Sequence, residues 1–253
     1  MAVNKNLLRH AISFVIPALN EETRISTTVE DVLSVAESRL SDYEILLIND
    51  GSSDSTGLVM ESLAAGHRKV DVFHNRRNLG IGGAYKRGLR EVQFENVMMV
   101  VGDNPITSQG FVSIFSAIGQ ADMVIPYIGN PLERSKTRNL ISATFTSLIN
   151  LSFGLKVRYY NLCAVHRADL LRKIVIGTDG FAFQAEVLVR LLKSGCSYVE
   201  IPVEVYERKV DKKEGVSTAL NLKSLQCVSK AIQNLLLDTH NLRSGPARKS
   251  RQN

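Results

Sequence analysis

The chain has 253 residues, 44% of them hydrophobic, which is enough to bury one large α/β core and leaves two full domains cramped. The formal net charge is +6, yet four of the surplus cations, Arg243, Arg248, Lys249 and Arg251, lie in a tail without acids. The body is therefore close to neutral, which argues against nucleic acid as the partner and reads the tail as a solvated end. Cys163, Cys196 and Cys227 are odd in number and lack metal-ligand spacing, so they read as small buried hydrophobes rather than a disulfide or zinc framework. The longest apolar runs fall well short of the roughly 20 residues a membrane span needs, and the N-terminus lacks a signal-peptide pattern. Cytoplasm is the expected location, with membrane contact at most peripheral.

In chain order, short β-branched runs alternate with helical periodicity, the habit of a parallel sheet with crossover helices. Strands are predicted at 11–16, 44–48, 70–73 and 97–101, with helices between them marked by Val29, Val32, Leu33 and Ala36, then Leu58, Met60 and Leu63, then Ala84, Gly88, Leu89 and Val92. A fifth strand is predicted at 121–126, a helix over 135–153, a helix over 181–193, a strand at 198–203 and a last amphipathic helix near 222–237. The expected organisation is a binding half over 1–130, a second half of the same domain over 131–240, and a basic tail over 241–253.

Three strands end in polar clusters: Pro17 to Glu22, Asn49 to Asp54, and Gly102 to Pro105. Ligands of open α/β sheets bind at the carboxyl ends of strands, so these clusters point to one crevice. In the second cluster, turn and N-cap chemistry account for Gly51, Ser53 and Asp54. They do not account for Asp50, which precedes the turn and could hold a base or a ribose. The stretch Asn78 to Gly88 is a glycine-rich helix entry where backbone N–H groups of Gly80 and Gly82 could approach an anion, with Lys86 and Arg87 either meeting phosphate or facing water. It is not a dinucleotide fingerprint, since Tyr85 takes the third glycine position. Asp103, at the tip of a strongly apolar strand, is the best candidate ligand for a hard cation such as Mg2+ or Mn2+.

Taken together, Pro17-x-x-Asn20-Glu21-Glu22, Asn49 to Thr56, Asn78-x-Gly80-x-x-x-Ala84-x-x-x-Gly88 and Gly102-Asp103-Asn104 resemble the large inverting family 2 of glycosyltransferases, and especially its dolichol-phosphate mannosyltransferase-like branch. Gly180-Phe181-x-Phe183-x-x-Glu186, Glu200-Ile201-Pro202 and Gly215-x-Ser217 are similar to that branch's C-terminal landmarks, so the resemblance spans nearly the whole chain. It implies an A-type glycosyltransferase fold: a mostly parallel sheet flanked by helices, with a smaller acceptor-side region. It also implies a nucleoside diphosphate sugar as donor, with Pro17, Leu19 and Glu21 lining the base and ribose pocket and Asp50 holding the base. Asp103 would meet the metal and Arg138 the diphosphate or an acceptor phosphate. Gly80, Lys86, Gly102 and Arg208 complete the expected substrate contacts.

Four departures from the family pattern bear on chemistry: Pro105 stands where a glutamine often helps the ion, Tyr160-Asn161-Leu162-Cys163 replaces the aspartate-led acceptor loop of the lipid-phosphate enzymes, and two more concern the metal and the phosphate directly. Val101 stands where the first metal-motif aspartate would be, which implies a weakly held ion, and Thr218 replaces a phosphate-binding lysine, leaving Lys212, Lys213 or Arg208 as substitutes. A phosphate acceptor is already ionised and needs no base, whereas a sugar hydroxyl needs a carboxylate, for which Glu186 and Asp179 are the candidates; helix-start capping is the alternative task for both. The acceptor is thus expected to be a polyprenyl phosphate or, alternatively, a soluble glycan or small-molecule hydroxyl. A non-catalytic nucleotide-sugar-binding protein is the other reading, and the sequence leaves the oligomeric state open.

Overall fold

The computed structural model describes residues 8–131 and 136–206. Four strands, β1 (Leu8–Ala18), β2 (Leu40–Asn49), β3 (Val70–His74) and β4 (Asn96–Met99), run parallel in the order β3-β2-β1-β4, with α1 (Ile25–Arg39), α2 (Thr56–Gly66) and α3 (Ile81–Gly88) as crossovers. After α4 (Ser108–Ser116), β5 (Met123–Ile128), α5 (Lys136–Phe153), β6 (Val165–Arg167), α6 (Ala168–Leu171), α7 (Phe183–Lys193) and β7 (Tyr198–Val203) extend the same sheet as β4-β6-β5-β7. The result is one seven-stranded, mostly parallel sheet between helical layers, and β6 is antiparallel to both its neighbours.

The alternation of β1 explains the layering. Ile12, Phe14 and Ile16 bury into one core with Val29 and Val32 of α1 and Phe111, Ile114 and Phe115 of α4, and the Phe14 and Phe115 ring centroids lie 5.9 Å apart. Val15 points to the opposite core, with Ala84 and Tyr85 of α3 and Val187, Leu188 and Leu191 of α7. Because strand faces alternate with period two, one apolar run feeds both layers, as expected for a strand buried on both sides.

The predicted strands match β1 to β5 and β7 within a few residues, and the predicted helices match α1 to α3, α5 and α7. Two differences have local causes. β5 starts at Met123 because Asp122 is engaged sideways: its Oδ2 accepts from Ser197 N at 2.8 Å and from Ser197 Oγ at 2.7 Å. β4 ends at Met99, although Val100 N still donates to Val15 O at 3.0 Å. The helix α4 and the short strand β6 were not predicted. Thr107 caps α4 by accepting from Gly110 N at 3.0 Å, and Phe111, Ile114 and Phe115 sit at helical spacing, so the signal was present for α4. For the three residues of β6 no periodicity exists to be read. Cys163 and Cys196 are buried and unpaired, as expected. The predicted helix near 222–237, the basic tail, Cys227, Lys212, Lys213 and Thr218 lie outside the described residues. Among the described residues, no helix is long and apolar enough to cross a membrane.

Candidate active site

The carboxyl ends of β1, β2 and β4 are adjacent because these strands are neighbours in the sheet, so Asp50 and Asp103 flank the segment Ala18 to Glu21 from opposite sides. Two inter-strand spacings, roughly 10 Å, separate the β2 and β4 backbones at this edge. Asp50 N donates to Ala18 O at 2.9 Å. The β1 and β2 loops are interlocked: Asn20 Oδ1 accepts from Ser53 N at 2.9 Å, Glu22 Oε2 accepts from Ser55 N at 2.8 Å, and Glu21 N donates to Thr56 Oγ1 at 2.7 Å. Asn20 sits at φ 56°, a left-handed conformation that Asn tolerates better than most residues. Gly51 is obligatory in a stronger sense, since its φ is +74° and a Cβ there would lie 2.6 Å from the carbonyl carbon of Arg77.

Pro17 is buried within β1, Leu19 is exposed just beyond it, and Glu21 pairs with Arg24 at 3.6 Å. Gly102 packs against this turn: a Cβ would stand 2.9 Å from Ala18 Cβ and 3.3 Å from Glu21 Cγ. Its carbonyl accepts from Thr28 Oγ1 of α1 at 2.8 Å, so a buried threonine fixes the approach to Asp103. Thr28 was missed in the sequence, although it is a polar residue on the apolar face formed by Ile25, Val29 and Val32. Asp103 itself is exposed, while Asn104 is fully buried and closes the turn by exchanging hydrogen bonds with the Ile106 backbone at 3.0 Å in each direction.

Asp50 is 3% exposed, and its Oδ1 accepts from Asn75 Nδ2 at 2.8 Å and from Leu79 N at 2.9 Å. This carboxylate therefore shapes the loop that leads into α3. Among the described residues, no hydrogen bond reaches its second oxygen, which remains open to a ligand donor.

At the glycine-rich entry of α3, the N–H groups of Gly80 and Gly82 are already engaged within the protein. Gly80 N donates to Asn78 Oδ1 at 2.7 Å, and Gly82 N donates to Asp179 O at 2.7 Å. The glycines instead permit close packing: a Cβ at Gly80 would lie 2.6 Å from Asp179 O, and one at Gly82 would lie 2.5 Å from Thr178 O. Lys86 is likewise committed within the protein, to Asp179 Oδ1 at 2.6 Å and to Ile176 O at 3.2 Å.

Glu186 is 2% exposed. Its Oε1 accepts from Gly177 N at 2.9 Å and Arg190 Nε at 2.8 Å, and its Oε2 accepts from Thr178 N at 2.8 Å. Burial pushes its carboxyl up, but the hydrogen bonds from Thr178, Gly177 and Arg190 outweigh burial and hold it below the usual glutamate range. A carboxylate so stabilised in its charged form is a poor proton acceptor. The structure thus groups Pro17, Leu19, Glu21, Asp50, Gly102 and Asp103 at one edge, and joins Gly80, Lys86 and Glu186 to it through the loop of Asn75 to Leu79. Arg208 and the side chain of Arg138 lie outside the described residues; the backbone of Arg138 belongs to α5.

Among the described residues, no three His, Cys, Asp or Glu side chains gather into a ready cation site. A lone exposed carboxylate at Asp103 still fits a divalent ion that takes most of its ligands from water and substrate phosphate.

The family model "Glycosyl transferase family 2" matches residues 13–104, the span that holds Pro17, Asp50, Gly80 and Asp103. An undecaprenyl-phosphate mannosyltransferase of Micrococcus luteus is 26% identical over 207 residues, covering 78% of this chain and 84% of the relative. A dolichyl-phosphate beta-glucosyltransferase of Trichomonas vaginalis is 31% identical over 96 residues, covering 36% of this chain and 28% of the relative's length. Among solved structures, glucosyl-3-phosphoglycerate synthase from Mycobacterium tuberculosis, crystallised with Mn2+ and UDP-glucose, superposes with a TM-score of 0.64 at 16% identity over 93% of this chain and 81% of that one. At that identity the likeness carries the fold, and the fold is the A-type one that the motifs implied. With its strand-tip motifs in place and its sheet in that arrangement, residues 13–104 carry a family 2 glycosyltransferase domain.

Proposed function

We propose that this glycosyltransferase moves a hexose from a nucleoside diphosphate sugar to a polyprenyl phosphate at a membrane surface. The observation that carries the acceptor assignment is the state of the two carboxylates closest to the acceptor side. Glu186 has both oxygens filled, and Asp179 is paired with Lys86 at 2.6 Å. A sugar hydroxyl would need one of them as a base, whereas a phosphate acceptor is already an oxyanion. The undecaprenyl-phosphate and dolichyl-phosphate names of the relatives support the same choice.

On this reading Asp50 offers its open oxygen to the base or ribose, and Pro17, Leu19 and Glu21 form the pocket beside it. The acceptor phosphate oxygen forms its bond to the anomeric carbon on the face opposite the diphosphate. The bond from that carbon to the diphosphate oxygen breaks, the nucleoside diphosphate leaves with the electron pair, and no proton has to move. Asp103 would hold Mg2+ or Mn2+, whose contribution when bound is to offset the diphosphate charge. Arg138 and Arg208 are the cations proposed to face phosphate.

The test is incubation of the purified chain with polyprenyl phosphate in phospholipid vesicles, Mn2+, and a panel of uridine, guanosine and thymidine diphosphate sugars. Labelled sugar should partition into the organic phase with release of nucleoside diphosphate. Label that passes only to added water-soluble acceptors would overturn the lipid assignment and leave the transferase standing.

A further inference from the structure

Glu186 is almost wholly shielded from solvent, yet its bonds lead outward to the strand-tip edge. Gly177 and Thr178 donate their backbone N–H groups to its two oxygens, and Arg190, one helical turn along α7, fixes its rotamer. The loop held in this way presses its carbonyls on the start of α3. Asp179 O accepts from Gly82 N, and neither Gly80 nor Gly82 could carry a side chain without striking Asp179 O or Thr178 O. The Phe183 and Tyr85 rings, with centroids 5.2 Å apart, back the same contact from beneath. Just before Gly80, Leu79 N donates to Asp50 Oδ1. A continuous series of contacts therefore runs from Glu186 through 177–179 and 79–82 to Asp50.

We propose that Glu186 is a positioning residue that clamps the 177–179 loop onto the glycine-rich start of α3 and so sets the placement of the donor segment that Asp50 grips from the other side. Three features favour this over a direct role. Both carboxylate oxygens are occupied, none of the three donors is a substrate group, and the contact surface opposite has been reduced to glycine at the two positions where the loop arrives. A base would need an unoccupied oxygen facing the acceptor. A mere helix cap would bond within α7, whereas Glu186 reaches back to the loop before it. The loop in turn seats Asp179 beside Lys86, so that a change at Glu186 is expected to be felt at both ends of the contact series.

The kinetic part of the test rests on the transferase reading above; the exchange part does not. Glu186→Gln, Gly82→Ala and the double variant are compared with the wild type by hydrogen–deuterium exchange without ligand. The same proteins are then assayed across pH 5 to 9, a range that brackets the second ionisation of a phosphate monoester at roughly pH 6, with whichever nucleotide sugar the wild type turns over. In Glu186→Gln the amides of Gly177, Thr178, Gly82 and Leu79 should all exchange about tenfold faster, a local opening that spreads along the contact series. The donor KM should rise about tenfold with the pH midpoints of kcat/KM unmoved, since geometry and not a titrating group has been lost. Gly82→Ala leaves the carboxylate intact but pushes the loop away, and it should reproduce the same pattern, with the double variant no worse than the worse single one. Faster exchange confined to Gly177 and Thr178 would overturn the proposal, as would loss of the acid limb of the pH profile in Glu186→Gln but not in Gly82→Ala. If Glu186→Gln does not fold, Gly82→Ala decides alone. A wild type that turns over no nucleotide sugar would sink the transferase reading, and the exchange pattern would still decide the clamp.

Discussion

On the β3-β2-β1-β4 side of the sheet, polar groups at the strand tips bond to one another along the edge: Asn20 to Ser52 and Ser53, Glu22 to Asp54 and Ser55, and Asn49 to Ser52 and His74. On the β6-β5-β7 side they turn inward and anchor loops to the core. Glu200, 3% exposed, accepts from Arg158 N at 2.6 Å, and Asn150 exchanges bonds with the Val157 backbone while its Oδ1 accepts from Tyr160 OH at 2.8 Å. The first side spends its polar chemistry on shaping a rim, which leaves Asp103 exposed at the tip of β4. The second spends it on fixing long connections. Catalytic power should therefore be sensitive to the first side, and stability to the second.

The sharpest test of that division is Asp103→Ala, which should lower transfer about a hundredfold, in the range seen when one group stabilising a developing charge is removed. Nucleoside diphosphate release under saturating donor would measure it, with thermal stability essentially unchanged because the side chain is exposed. Asp50→Ala stands between the two behaviours. It should raise the donor KM about tenfold and also destabilise by about 1–3 kcal/mol, because Leu79 N and Asn75 lose their shared acceptor. Urea denaturation alongside donor titration would separate these effects, and a purely kinetic loss would break the picture of Asp50 as both pocket and loop anchor.

Gly88→Ala should be an effect on stability alone. Its Cβ would come 2.4 Å from Val15 Cγ1 in the middle of the sheet, and overpacking of this kind costs about 1–3 kcal/mol. The most gradual effect is a dependence on pH located on β6. His166, on β6, is buried with no partner for Nδ1 among the described residues, and burial pushes its pKa down to about 4 from the ordinary 6.5. The unfolded chain binds a proton at this residue below 6.5 while the folded chain resists until about 4. Its contribution is thus fully present above 6.5 and is lost as pH falls from there towards 4, at about 1 kcal/mol per pH unit. Urea midpoints at several pH values should show that slope in the wild type and not in His166→Leu; an equal slope in both would assign the acid sensitivity to other groups.

Much of the donor side was legible from the residues. The apolar runs of β1, β2 and β4 each end in a polar cluster, and a cluster that follows a buried strand has only the carboxyl edge of the sheet to occupy. Thr28 was hidden because helix periodicity counts it as a gap in an apolar face, although its hydroxyl meets Gly102 O across 74 positions of sequence. Lys86 shows the same limit from the other direction. A lysine on a glycine-rich helix is chemically suited to phosphate, and nothing nearby in sequence reveals that its ammonium group is already held by Asp179 and by the carbonyl of Ile176, 90 residues away. Glu186 offered an intermediate case: the Arg190 pairing at i,i+4 could be read, the Gly177 and Thr178 bonds could not.

By itself, the sequence determined the layered α/β architecture, the strand tips that bear Asp50 and Asp103, and the likeness to family 2 glycosyltransferases carried by residues 13–104. These follow from local periodicity and from motifs whose residues are close together in the chain. Only the tertiary structure decided that β6 enters antiparallel, that Gly80 and Gly82 make room for a loop rather than an anion, and that both oxygens of Glu186 bond within the protein. A side chain's capacity to bond is written in its type, but the partner that uses up that capacity is chosen by packing between segments far apart in sequence.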